Sequence, residues 1–205
     1  MPYVPEHKAE IRIRILESAR RLFNRNGLTA FSIDEIMAGA GLTRGGFYSY
    51  FDSKEELYAE AITHFINAGP NAGWQRMAFA DRPEGQALAR AILDAYLSRE
   101  HLDDVDGSCP VIGLANDVAR SVGPAKRAYR QVMEMMADIF AANLGSSPAP
   151  EAGSAAPETA RQRALAVVAL CVGGMVLARA VDEESVADEL RVASRRYAAA
   201  LAGWT

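Results

Sequence analysis

The sequence predicts an all-α protein of about nine helices, arranged as a small N-terminal head and a larger helical body. Three observations lead there. Apolar residues recur at i, i+3, i+4 and i+7 along nearly the whole chain, the spacing of a helix with one buried face. No stretch alternates apolar and polar residues with the period of two that marks a half-buried strand. Helix breakers (Gly27, Gly41, Pro70, Pro83, Pro110 and Pro124) fall between the apolar stripes.

The elements follow in order. Ile15, Leu16, Ala19, Leu22 and Phe23 form the first stripe, ended by Gly27. Ser32 with Glu35 three residues later forms a capping box that starts a short helix, whose apolar face is Ile33, Ile36 and Met37. Gly41 supplies the left-handed turn that ends it. Thr43 then caps a second short helix that carries Phe47 and Phe51 inward. A connecting helix shows Leu57, Tyr58, Ala61, Ile62, Phe65 and Ile66. Later stripes are Leu88, Ile92 and Tyr96, then Val111 to Val122, then Tyr129, Val132, Met136, Ile139 and Phe140. The segment Gly145 to Pro157 is rich in Gly, Ser, Pro and Ala and reads as a loop. A helix from about Glu158 to Arg179 is apolar all round its middle, and an amphipathic helix runs from about Glu184 to Ala202. One possible boundary lies near Ala68–Pro70, between a three-helix pattern with its connecting helix and a longer bundle with few charges in its middle. The expected domains are a head at 1–52 and a body at 53–205.

Composition sets limits. The chain has 205 residues, of which 50% are hydrophobic and 23% charged, enough for a true core and too apolar for global disorder. A net charge of −4 excludes a uniformly basic nucleic-acid coat, but leaves room for a local basic patch. Two cysteines cannot form a disulfide framework and suit a reducing compartment. Residues 1–14 lack the apolar core of a signal peptide. The longest uncharged apolar run, Ala164–Ala178, has fifteen residues where a bilayer needs roughly 20. The expectation is a soluble, cytoplasmic protein with no membrane partner.

Residues 32–51, SIDEIMAGAGLTRGGFYSYF, carry the functional reading. Helix, tight Gly turn, helix is a helix-turn-helix layout. The outward residues of its second helix, Thr43, Arg44, Gly45, Gly46, Tyr48, Ser49 and Tyr50, form hydrogen bonds or have no side chain. Arg44 can donate twice to guanine O6 and N7. Gly45 and Gly46 cost about 1 kcal/mol each against Ala inside a helix, which makes sense if the backbone must approach another surface closely. Tyr48 and Tyr50 can donate to phosphate, and Lys54 offers it a point charge. Ser32 completes the expected DNA-facing set. Between residues 8 and 25 lie six basic side chains (Lys8, Arg12, Arg14, Arg20, Arg21, Arg25) against Glu10 and Glu17. They suggest a basic face, with Lys8 and the first arginines as an arm reaching phosphate or minor groove. A solvated helix face fits the same residues.

From Ile11 to Ala61 the pattern resembles the TetR family of transcriptional regulators. The resemblance rests on Ala19, Leu22, Phe23, Gly27, Ser32, Ile33, Ile36, Ala40, Gly41, the run Thr43-Arg44-Gly45-Gly46-Phe47-Tyr48, and Phe51, Ser53, Lys54, Glu56 and Leu57. It covers roughly a quarter of the chain. It implies an all-helical homodimer whose head binds a double-stranded DNA operator, and whose body binds a small-molecule effector and dimerises. Repression relieved by that effector is the role it implies. One departure stands out: Gly46 occupies a position more often Ser or Thr in the family, so base readout would rest more on Arg44.

Other chemistries find little support. His7, His64 and His101 are far apart and lack partners at ligand spacing, so no metal is expected. No triad order, nucleophile elbow or phosphate loop stands out, so neither enzyme activity nor a cofactor is expected. Gly39-x-Gly41 misses the dinucleotide fingerprint because Arg44 holds the place of its last glycine. Cys109, in Gly107-Ser108-Cys109-Pro110, stands where a helix should begin, a setting that favours thiolate. It reads either as an electrophile or redox sensor or as a small packing residue. Cys171 reads as core. Trp74, Met77, Tyr96, Cys109, Tyr129, Met133 and Met136 are the expected effector-pocket residues, although plain core explains each of them as well. Few charges fall in these stripes, which points to an uncharged, apolar or aromatic effector. The last two helices, with Gly173-Gly174 allowing close approach, are expected to pair with those of a second copy, the alternative being that the apolar helix is only the central core of the body.

Overall fold

The computed structural model describes residues 5–28, 30–67, 81, 83–145 and 159–204. Among these residues the chain forms ten α-helices and one 3₁₀ helix, with no strand. They are α1 (Pro5–Asn26), α2 (Ile33–Gly39), the 3₁₀ helix Arg44–Ser49, α3 (Lys54–Asn67), α4 (Gly85–Tyr96), α5 (Arg99–Asp103), α6 (Pro110–Gly113), α7 (Ala115–Arg120), α8 (Pro124–Ala142), α9 (Ala160–Ala180) and α10 (Glu184–Ala202). The count exceeds the expected nine partly because the Val111–Val122 stripe breaks at Leu114 into α6 and α7.

Chain contacts divide into two compact units. The first combines the N-terminal residues up to 69 with 105–132. Its core is the inward face of α1 (Ile15, Ala19, Phe23) closed by Ile36, Met37, Phe47, Phe51, Leu57 and Ile62, all buried. Phe23, Phe31 and Tyr58 meet edge to face or tilted, with Phe23 at 5.0 Å from Phe31 and 4.7 Å from Tyr58 between ring centres. The segment 105–132 is fastened to the end of α1. Asn24 Nδ2 donates to the carbonyls of Asp106 and Ser108, and Arg25 Nη2 donates to Asp106 Oδ2 at 2.6 Å. The Leu28 amide donates to Asp117 Oδ2 at 2.8 Å.

The second unit combines 70–104 with 133–205. Helices α9 and α10 pack along their length, α4 lies on α10, and α5 touches both α4 and α9. The glycine pair of α9 divides its work. A Cβ at Gly174 would lie 2.6 Å from Ser194 Cβ, so this glycine is what lets α10 approach α9 within one chain. A Cβ at Gly173 would meet nothing within 4 Å. The expectation that both glycines serve a second copy therefore needs correcting at Gly174. The end of α10 is held to the end of α8, where the Gly145 amide donates to Ala202 O and Trp204 Nε1 donates to Asn143 O, each at 2.8 Å.

Helix α9 is the one helix among the described residues long and apolar enough to cross a membrane by length and composition. It extends past the uncharged run because Arg163 and Arg179 belong to it. Thr159 and Gln162 form a capping box at its start that the sequence reading passed over. Arg163 is buried, and its Nε donates to Leu201 O at 3.0 Å. Arg179 donates to the carbonyls of His101 and Leu102. Both guanidinium groups are thus engaged by this protein's own backbone.

Candidate nucleic-acid interface

The helix-turn-helix is built from local rules. Ser32 Oγ accepts from the Glu35 amide, and the Glu35 carboxylate accepts from the Ser32 amide at 2.7 Å, closing the box expected from sequence. These bonds hold the Glu35 carboxyl below the usual carboxylate range. Gly41 adopts a φ of +70°, the left-handed turn that reverses the chain between α2 and the next element. Arg14 donates to Ala40 O and braces this turn from α1.

The second element is 3₁₀ rather than α-helical, and it is preceded by Thr43 with extended backbone but no side-chain capping bond. Two adjacent glycines weaken α-helical geometry here. Phe47 and Phe51 are buried beneath it, with ring centres 5.8 Å apart. Thr43, Arg44, Gly45, Tyr48 and Ser49 are exposed, and Tyr48 is 67% exposed. Gly46 and Tyr50 are half-buried, and Ser32 is exposed at the α2 start. A Cβ at Gly45 would touch nothing within 4 Å, and at Gly46 only Met37 Cε at 3.7 Å. Neither glycine is needed for internal packing or for a positive φ. Their use is left to whatever approaches from outside.

The basic residues of α1 have a different role from the one expected. Arg12 donates to Tyr50 O and Glu60 and lies 4.2 Å from the centre of the Phe51 ring. Arg14 braces the turn, Arg20 donates to Asp106 O at 2.6 Å, and Arg25 pairs with Asp106. Arg21 pairs with Glu17. Lys8 belongs to α1 rather than to an irregular arm, with its ammonium 6.0 Å from the Tyr50 ring centre. The cluster that looked like an electrostatic footprint mainly holds the first unit together.

Lys54 is similarly engaged. Its ammonium donates to Phe31 O at 2.6 Å and lies 5.2 Å from both the Phe31 and Tyr58 ring centres. Burial lowers its pKa from the ordinary value. Lys54→Ala is expected to destabilise the protein by about 1 kcal/mol, because it strips the Phe31 carbonyl of its donor and removes a cation–π contact. Thermal unfolding of the two proteins in one buffer checks this; an unchanged midpoint would leave Lys54 free for an external phosphate alone.

The expected effector-pocket residues are spread more widely. Trp74 and Met77 lie outside the described residues. Cys109 and Tyr129 belong to the first unit; Tyr96, Met133 and Met136 to the second. Cys109 is fully buried just before α6, as expected for a helix start. The Tyr129 hydroxyl donates to Val111 O at 2.9 Å, and burial, with Cys109 nearby, pushes its pKa up to about 12. Tyr96 and Met136 are buried, and Met133 half-buried. A groove of about 350 Å³ in the first unit runs between Leu28, Tyr58, Val122 and Ala125, with Glu55 and Asp117 on its wall. Another, of about 450 Å³ in the second unit, is lined by Ala95, Leu97, Arg191 and Val192 among others. Among the described residues, none of the expected pocket residues lines either groove. Periodicity marks them as inward-facing, which a core and a cavity share.

Residues 15–61, which contain this whole motif, match the family described as bacterial regulatory proteins, tetR family. This N-terminal segment is of the TetR-family type. YfiR of Bacillus subtilis (strain 168), an uncharacterized HTH-type transcriptional regulator, is 34% identical over 145 residues, 66% of this chain and 62% of YfiR. The match therefore spans less than two thirds of that relative's length. BepR of Brucella suis biovar 1, an HTH-type transcriptional repressor, is 25% identical over 169 residues, 82% of this chain and 79% of BepR. Among solved structures, reduced E. coli NemR superposes with a TM-score of 0.70 at 17% identity, covering 92% of this chain and 95% of NemR. That likeness is one of fold, and it extends over both units.

Proposed function

We propose that this chain is a cytoplasmic, ligand-responsive transcriptional repressor that binds a near-palindromic DNA operator as a homodimer. The observation that carries the reading is the surface formed by the exposed Thr43, Arg44, Gly45, Tyr48 and Ser49, where neither Gly45 nor Gly46 has an internal role. In this reading the segment enters the major groove, with Arg44 addressing a base edge, and with Thr43, Tyr48, Ser49, Tyr50 and Ser32 positioned for backbone or base contacts. The head is residues 1–52 and the effector and dimer domain 53–205. BepR, named a repressor, supports the sign of regulation. The effector is a small uncharged apolar or aromatic molecule held in the body. The ties of Asp106 and Asp117 to the end of α1 offer a physical route from residues 105–132 to the head. An effector acts by preferring one of two head arrangements.

Selection of bound sites from a random duplex pool, with purified protein in reductant, tests the reading. The expected result is an enriched near-palindrome with half-sites about 34–36 Å apart or at a related spacing. Failure to enrich any sequence at low salt overturns it.

The dimer reading rests on apolar side chains left exposed on the last two long helices. Val176 and Leu177 of α9 and Val192 and Tyr197 of α10 are between 38% and 64% exposed, and Gly173 lies on α9 with open space before it. Leu177→Glu is expected to convert a dimer to a monomer while changing the monomer's stability by only about 0.5 kcal/mol, since the site is exposed within one chain. Sedimentation of both proteins at micromolar concentration decides this, and a wild-type monomer would sink the dimer.

A second reading makes Cys109 an electrophile or redox switch, favoured by its place before α6 and beside Tyr129. Because the thiol is fully buried, reaction needs a local opening. Alkylation that leaves operator affinity unchanged in the wild type, as in Cys109→Ser, excludes it.

A further inference from the structure

Arg44 is not a free side chain in this head. Its Nη1 donates to Asp34 Oδ2 at 2.8 Å, across ten residues of sequence. Both side chains are more than half exposed, so the pair adds little to stability. Its geometry is more informative. Asp34 lies in the first turn of α2, the turn closed by the Ser32–Glu35 box, so its backbone is held firmly. Glu35 is turned back to Ser32 and does not compete for Arg44. Among the described residues Asp34 is the carboxylate paired with Arg44. The residues following Arg44, Gly45 and Gly46, have no side chain against which its long stem could rest.

We propose that Asp34 is a positioning residue for base recognition, holding the Arg44 guanidinium so that its free edge meets guanine in the major groove. This rests on the DNA-binding reading above. With Nη1 held by Asp34, the Nε–H and Nη2–H edge remains as a two-donor fork, the arrangement that matches guanine N7 and O6. An Arg side chain left unheld would lose rotamer freedom only on binding, and could swing to a phosphate instead of a base. Asp34 also sets a negative charge beside the fork. That charge disfavours phosphate and unpaired base acceptors, so it contributes to selectivity rather than to overall affinity.

The test measures binding of wild type, Asp34→Ala, Asp34→Asn, Arg44→Ala and the Arg44→Ala/Asp34→Ala double variant. The probes are the selected operator, its single base-pair substitutions and one unrelated duplex. Asp34→Ala is expected to lose roughly tenfold in preference for guanine at one position per half-site, while binding the unrelated duplex as well as wild type or better. Asp34→Asn is expected to keep most of the preference, because its amide oxygen still accepts from Arg44. In the Arg44→Ala background, Asp34→Ala should change no base preference. Undiminished preference in Asp34→Ala overturns the proposal, as does a loss that persists when Arg44 is already alanine, or an Asp34→Asn that behaves like alanine. If Asp34→Ala binds all duplexes more tightly with preference intact, Asp34 merely sequesters Arg44, and the proposal is likewise overturned. A wild-type protein without any base preference fails a step earlier and removes the DNA reading itself, an outcome separate from a defect confined to Asp34→Ala.

Discussion

Arg44→Ala is expected to weaken binding to the selected operator by about 1–3 kcal/mol for each half-site contact, roughly 5- to 150-fold. The loss should concentrate at one base pair, so that the variant no longer distinguishes guanine there. Binding to unrelated duplex should change little, because Arg44 is read as a base contact and not as a phosphate contact. Arg44 is exposed and its ion pair with Asp34 is a surface pair, so thermal stability should stay within about 0.5 kcal/mol of wild type. Titration against the operator and its single-pair variants at two salt concentrations checks each part. A uniform loss over all sequences, with a shallower salt slope, would assign Arg44 to a phosphate.

Lowering the pH from 7 to 5 is expected to remove about 2 kcal/mol of folding stability through His101. His101 is fully buried in α5, its Nδ1 is 2.6 Å from Tyr96 O, and its ring meets the Tyr96 ring edge to face at 4.9 Å. Burial, with the Arg179 guanidinium adding to it against the Tyr96 bond, pushes its pKa down to about 3 from 6.5. The folded chain therefore keeps the ring neutral while the unfolded chain protonates it near its ordinary value. Between those two values the unfolded state binds more protons, so stability is greatest above about pH 6.5 and falls as pH drops towards 3. His101→Gln keeps a donor for the Tyr96 carbonyl but cannot titrate. Its stability should be lower at pH 7 and lose less than wild type on going to pH 5. Equal pH slopes for the two proteins in denaturant titrations would show that His101 is not the source.

The head was legible because its determinants are local. A capping box needs Ser32 and Glu35 three residues apart, a left-handed turn needs Gly41, and both appear where the sequence placed them. The long helices were legible for the same reason: the amphipathic span Glu184–Ala202 is observed without change, and α9 begins within two residues of the expected start. Element geometry was less legible where two tendencies compete. The segment after Thr43 has helical spacing in Phe47 and Phe51, yet its glycines tip it to 3₁₀ form.

What the sequence by itself determined is thus the all-α class, the order of the main helices, the helix-turn-helix and the outward placement of Thr43, Arg44, Gly45, Tyr48 and Ser49. All of these depend on neighbours within a few turns of helix. Tertiary structure alone decided which charges remain available. Arg12, Arg14, Arg25 and Lys54 look alike as basic residues near a DNA-binding motif, yet each is held by a carbonyl or carboxylate distant in sequence. It also decided that Gly174 serves a contact inside the chain while Gly173 stays open, and that Asp34 is the residue that holds Arg44. Periodicity specifies which face of a helix turns inward, but carries no information about which distant atom it meets there. A hydrogen bond or a close glycine contact is set by that meeting, so it exists only once the chain has folded.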